Sequence, residues 1–163
     1  MGLGYPGGPL IEKMAKSGDP DAFAFPIGMK GKKSVEFSFS GMKTALRTTV
    51  ELIKKEGELP VPDVCASYQR AITEALLSKI TLAAEMTGVR RVAMSGGVAA
   101  NTALRDGLHA MGEARGWEIY IPPKNFCTDN AAMIAAAGYA AYAGGERSNL
   151  TLAPDPGWSA WGN

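Results

Sequence analysis

Histidine is almost missing from this chain: the 163 residues contain one, His109. Imidazole-based metal sites and Ser-His-Asp or Cys-His hydrolases need histidine beside further ligands or a nucleophile, and no such set is present. The HExxH pattern of zinc peptidases and the GxxxxGK[ST] phosphate loop are also absent. Cysteine is scarce. Cys65 and Cys127 form neither a CxxC pair nor a disulfide framework, which suits a reducing cytosol. No apolar run reaches membrane-spanning length. The opening MGLGYPGGPL has neither the basic start nor the apolar centre of a signal peptide. Neither sign of charge dominates: the formal net charge is +1, so bulk charge does not require a nucleic acid partner. There is no internal repeat and no low-complexity segment. The hydrophobic fraction, 46%, is enough for one soluble domain with a real core.

Punctuation by Gly and Pro organises the chain. Residues 1–10 read as a Gly/Pro turn region, resembling the middle of a longer chain behind an added methionine. A short helix is expected over 11–16, stopped by Ser17-Gly18-Asp19-Pro20. Residues 34–40, SVEFSFS, alternate with Val35, Phe37 and Phe39 on one face, which predicts a strand half-buried on one side. A helix follows over 42–55. Pro62 opens a long helix whose apolar stripe runs through Val64, Tyr68, Ile72, Leu76 and Ile80 to a stop at Gly88. Short strands are expected over 89–95 and 117–121. Helices follow over 101–115 and 129–142, the last so rich in alanine that close packing against another surface is expected. The fold class is therefore α/β. The order helix, strand, helix, strand, helix from residue 62 predicts a parallel sheet with helical crossovers. The segments are an N-terminal insertion region (1–60), an α/β core (61–143) and a Pro/Gly/Trp tail (144–163).

Ligands in such sheets sit outside the carboxyl ends of the strands. Two loop-to-helix junctions fall there: SGGVAAN (95–101) and FCTDNAA (126–132). Gly96 and Gly97 let backbone approach a ligand, and the helix behind them aims N–H groups at an anion. A tight strand-to-helix turn explains the same glycines. Asn101 is either a helix N-cap or an amide that reads a ligand. Asp129 stands where a carboxylate could meet a cation, though Thr128 or Asp129 could equally cap the next helix. His109, mid-helix between polar neighbours, reads as a surface residue. Lys30, Lys32, Lys33, Lys43 and Arg47 form either a solvated face or a local footprint for RNA phosphates. Lys43, in the first turn after the expected strand, is the one placed to enter a cleft.

YPGGP (5–9), FSFSGMKTA (37–45), SGGVAANTALR (95–105) and FCTDNAAMIA (126–135) together closely resemble the TsaD family, formerly Gcp or O-sialoglycoprotein endopeptidase. The resemblance implies one lobe of the actin/Hsp70/sugar-kinase ATPase fold (ASKHA), with a mixed sheet, helical crossovers and an extra N-terminal helical and irregular segment. It implies transfer of threonylcarbamoyl from its adenylate to N6 of adenosine 37 in tRNA, giving t6A, in the cytoplasm. By the same resemblance, Gly8, Gly96, Gly97 and Asn101 contact threonylcarbamoyl-AMP or ATP/ADP. Asp129 is one ligand of a metal, suspected to be iron.

The family's two metal-binding histidines come from an HxxxH motif in an N-terminal half that is not in this sequence. The chain therefore reads as a C-terminal lobe, inactive alone, whose partners are that N-terminal half, TsaB and TsaE if bacterial, and tRNA, with no membrane. The alternatives are a non-catalytic interaction fragment and another ATPase of the same fold. Lack of HExxH and of a triad argues against the old peptidase name.

Overall fold

The computed structural model describes residues 1–28 and 34–155. It divides into two compact units, Met1–Thr128 and a second beginning at Asp129. Lys30, Lys32 and Lys33 lie outside the described residues, as does the end of the tail.

In the first unit, helices α1 (Gly7–Ala15) and α2 (Ser40–Glu56) precede the long α3 (Val61–Thr87). Strand β1 (Arg91–Ala93), α4 (Thr102–Arg115) and β2 (Glu118–Tyr120) follow. The strands pair in parallel, with Val92 opposite Ile119, as the helix–strand alternation requires. Two short 3-10 turns, Gly97–Ala100 and Lys124–Phe126, leave the carboxyl ends of these strands.

Helix α3 is the spine. Its Val64, Tyr68, Ala71 and Ala75 join Phe25, Met42 of α2 and Val50 in the main core. The rings of Phe25 and Tyr68 meet edge to face at 5.5 Å, a favourable quadrupole arrangement. Cys65 and Ala66, on another side of α3, pack with Ala15 and Ile11 of α1. Pro62 sits in the first turn of α3, where its missing N–H costs nothing, and Gly88 ends the helix in the left-handed region at φ 69°. Further along, Gly107 of α4 lies against Leu77, where an added Cβ would come within 2.7 Å of Leu77 Cδ1. The periodic stripe of α3 was legible because it serves several neighbours at once.

Ser67 fastens the irregular segment before α2 to α3. Its buried hydroxyl donates to the carbonyl of Asp19 and accepts from the backbone N–H of Phe23, each at 3.1 Å. Ser67→Ala leaves the Asp19 carbonyl and the Phe23 N–H without this partner. A loss of about 2 kcal/mol is expected, read from urea unfolding midpoints.

Several expectations need correction. The first helix begins at Gly7 rather than at residue 11, so Gly8 belongs to its first turn and not to a loop. The strand expected over 34–40 does not form: residues 34–39 have no ladder partner among the described residues, and α2 already starts at Ser40. What remains of the alternation is the pairing of Phe37 and Phe39, whose rings stack at 6.2 Å. The sheet among the described residues is a purely parallel pair, not a mixed sheet.

In the second unit, α5 (Ala131–Ala143) is capped by Asn130, whose Oδ1 accepts from the N–H of Met133 at 3.0 Å. Neither Thr128 nor Asp129 supplies that bond. Alanine explains why α5 is helical; apart from Ala141 its residues are exposed. No helix among the described residues is long and apolar enough to cross a membrane.

Candidate functional site

One cavity of about 520 Å³ opens between the start of α1, the middle of α3 and the Gly97–Ala100 turn with the head of α4. It collects Gly8 with Gly97 and Asn101, residues of two motifs far apart in sequence. Its volume lies in the range of pockets that hold a ligand the size of a nucleoside. Ile72, Leu76, Val98 and Leu104 make the apolar wall, and Glu12, Gln69, Thr73 and Asn101 the polar one.

Asn101 does two things at once. Its Oδ1 caps α4 by accepting from the N–H of Leu104 at 3.0 Å, and its Nδ2 donates to Gln69 Oε1 at 2.9 Å. The cap fixes the amide's orientation, and Gln69 holds one of its two N–H donors at the cavity wall. The two readings of Asn101, cap and ligand contact, are therefore compatible in one side chain.

The polar end turns on Glu12, which sequence reasoning did not single out. Its Oε1 accepts from Thr102 N–H at 3.0 Å and from Thr102 Oγ1 at 2.6 Å. Lys124 Nζ in turn donates to Thr102 Oγ1 at 2.6 Å. Partial burial works to raise the Glu12 pKa. The two Thr102 bonds and the charges of Lys124 and Lys16 outweigh it, so the carboxyl sits below its ordinary value. Glu12 is thus an ionised acceptor at neutral pH.

That carboxylate changes the meaning of the α4 N-terminus. Sequence suggested open N–H groups waiting for an anion. In the fold, Thr102 N–H and Leu104 N–H are already satisfied by Glu12 and Asn101. A ligand phosphate would meet a resident negative charge there, so the cavity's polar end suits hydroxyl donors, with any phosphate directed away from Glu12.

The other expected residues lie elsewhere. Gly96, at φ 86°, makes the left-handed step that only glycine takes easily, but it does not line the cavity. Lys43 is exposed in the first turn of α2 and is not among the lining residues. His109 is exposed on α4. Asp129 opens the second unit and is exposed. No group of three or more His, Cys, Asp or Glu side chains able to hold a metal exists among the described residues. One carboxylate does not make a metal site, so the donors of this chain do not fit one by themselves. Gln69 and Glu12 carried no local signal: Glu12 meets its partner across 90 residues of sequence.

Residues 1–136 match the family described as TsaD, tRNA N6-adenosine threonylcarbamoyltransferase. Relatives bearing that description include proteins of Thermosipho africanus (strain TCF52B), 47% identical over 96% of this chain and 47% of the relative, and Symbiobacterium thermophilum, 48% identical over 96% and 46%. A protein of Synechococcus sp. (strain JA-3-3Ab) is 48% identical over 93% of this chain and 42% of its own length. The chain spans about half the length of these curated relatives.

Proposed function

Because this chain belongs to the TsaD family of tRNA N6-adenosine threonylcarbamoyltransferases, we propose that it is the C-terminal lobe of such a transferase, built on the actin/Hsp70/sugar-kinase fold and working in the cytoplasm. The observation that carries this reading is the single cavity shared by Gly8, Gly97 and Asn101.

In this reading the cavity holds the nucleoside end of threonylcarbamoyl-AMP. The purine lies on Ile72, Leu76 and Leu104, where apolar burial favours a flat ring. Asn101 and Gln69 offer the purine edge an amide pair whose positions are already set. Glu12 accepts from ribose hydroxyls, and its charge turns the phosphate outward past Gly97. The reaction joins N6 of the tRNA adenosine to the carbamoyl carbon of the mixed anhydride. The C–N bond forms, the C–O bond to phosphate breaks, N6 loses a proton and AMP leaves. What this lobe contributes is binding and orientation of the leaving nucleotide.

The rest of the machinery would come from outside this chain. A metal, proposed as iron, needs two histidines of an N-terminal half in addition to Asp129. TsaB, TsaE and tRNA are the proposed partners of the whole protein. The apolar, exposed α5, with Ile134 and Tyr139 uncovered, suits a lobe that meets more protein.

The test has two arms. In calorimetry, the chain alone binds AMP measurably, and Asn101→Ala weakens it about tenfold, the scale of one lost amide contact with a buried partner left behind. With TsaB, TsaE and TsaC, the protein that makes the threonylcarbamoyl-AMP intermediate in this family, the chain forms no t6A until an N-terminal half is added. Full t6A formation without that half, or wild-type chain blind to both adenosine and AMP, would sink this reading.

A further inference from the structure

Of the two strand-end turns, the first lines the cavity and the second lies beside it, carrying Lys124. The parallel ladder is three residues long, and its last bond runs from Met94 N–H to the Tyr120 carbonyl. Beyond it, the Gly97–Ala100 turn supplies the cavity wall, and the loop after β2 carries Lys124 to Thr102. One side chain reaches both. Arg105 Nη1 donates to the Ala99 carbonyl and Nη2 to the Pro122 carbonyl, each at 2.9 Å, while Nη1 also lies 3.7 Å from Cys127 Sγ. Ala99 and Cys127 are buried, and Arg105 is half-buried between them.

Resting on the nucleotide reading above, we propose that Arg105 is a positioning residue for this cavity: its guanidinium fork holds the two turns at the spacing at which Lys124 meets Thr102 beside Glu12. Three features support this. The fork is planar and presents parallel donors, so the separation of its two nitrogens sets the separation of the two carbonyls. Arg105 stands one helical turn after Asn101, with its own N–H on the Asn101 carbonyl, so the clip and the ligand-facing amide ride on the same helix end. Pro122 precedes Lys124 by two residues and Pro123 lies between them, which leaves the connection stiff. Movement of the Pro122 carbonyl therefore moves the Lys124 ammonium. A lysine ammonium at position 105 is a flexible point charge without the rigid fork that fixes the separation of the two carbonyls.

The experiment compares wild-type chain with Arg105→Lys, Arg105→Gln, Lys124→Met and the double variant Arg105→Lys/Lys124→Met. Amide hydrogen exchange is followed at Ala99 and Asn101 in the first turn, at Phe126 and Cys127 in the second, and along α3. These turn amides each have a backbone acceptor, so their exchange reports turn opening. In Arg105→Lys, exchange is expected to rise about tenfold in both turns together while α3 stays protected. AMP affinity should fall about tenfold in Arg105→Lys and in Lys124→Met, and the double variant should lose no more than about threefold beyond the weaker single, because both act on one linkage. Losses that multiply, or faster exchange in one turn only or in neither, overturn the proposal. Loss of α3 protection in both Arg105→Lys and Arg105→Gln does so too, making Arg105 a residue of the fold. If wild-type chain binds neither adenosine nor AMP, the nucleotide reading fails, and joint opening of the two turns still decides whether Arg105 couples them.

Discussion

Replacing Gly18 with alanine is expected to destabilise the first unit by about 3 kcal/mol, the upper end for forcing an atom into a packed site. A Cβ there would stand 2.1 Å from the Pro62 carbonyl oxygen and 2.6 Å from the Asp63 nitrogen. Those neighbours are backbone at the head of α3, so no rotamer change relieves the clash. The same contact is cemented by the N–H of Asp19, which donates to Asp63 Oδ1 at 2.9 Å. Relief requires α1 and α3 to separate. Glu12 lies on α1 and Gln69 on α3, so the cavity should open and AMP affinity should fall together with stability. Gly41→Ala is the control: that glycine has nothing within 4 Å of an added Cβ and lies inside α2, so alanine there should be neutral or slightly stabilising. Urea unfolding of both variants checks the pair. Equal midpoints for Gly18→Ala and wild type would show that the close approach carries no energy.

Glu12→Ala should remove about 2 kcal/mol of stability, since it leaves Thr102 N–H at the α4 terminus without its charged acceptor. AMP affinity should fall at least about tenfold if ribose hydroxyls use that carboxylate. Glu12→Gln keeps the shape and an acceptor but no charge, so it separates packing from electrostatics. The pH dependence follows from the direction of the shift. The Glu12 pKa is lower in the folded chain than its ordinary value, so its stabilisation is complete above the unfolded-state value. It is lost as pH falls through the folded one. Unfolding midpoints taken from roughly pH 6 down to roughly pH 2 should therefore slope more steeply for wild type than for Glu12→Gln. Parallel curves would mean that the Thr102 bonds do not depend on the charge.

Both effects act on a site only partly visible in one dimension. Asn101 as an N-cap, the left-handed stop at Gly88, the long stripe of α3 and the parallel pairing of the strands rest on near-neighbour rules of spacing and turn chemistry, and they stand in the fold. The alternation of residues 34–40 obeyed the same rules and did not become a strand, because a strand exists only when another backbone pairs with it. Alanine-rich α5 is helical by propensity, yet propensity does not say what covers a helix. The motif glycines and Asn101 pointed to one ligand, but nothing local could say that Gly8 would share a cavity with Gly97 while Gly96 would not.

Helices, caps, stops and strand order depend on contacts within a few residues, and such contacts are written in the local order of side chains. The family belongs with these, since its motifs are local too. The carboxylate in the site, the Gln69 partner of Asn101 and the Arg105 clip depend on segments brought together by the core of α3. Glu12 reaches Thr102, and Gln69 reaches Asn101, only because apolar burial sets α1, α3 and α4 side by side. That packing turned an apparent phosphate cradle into a cavity with a negative end.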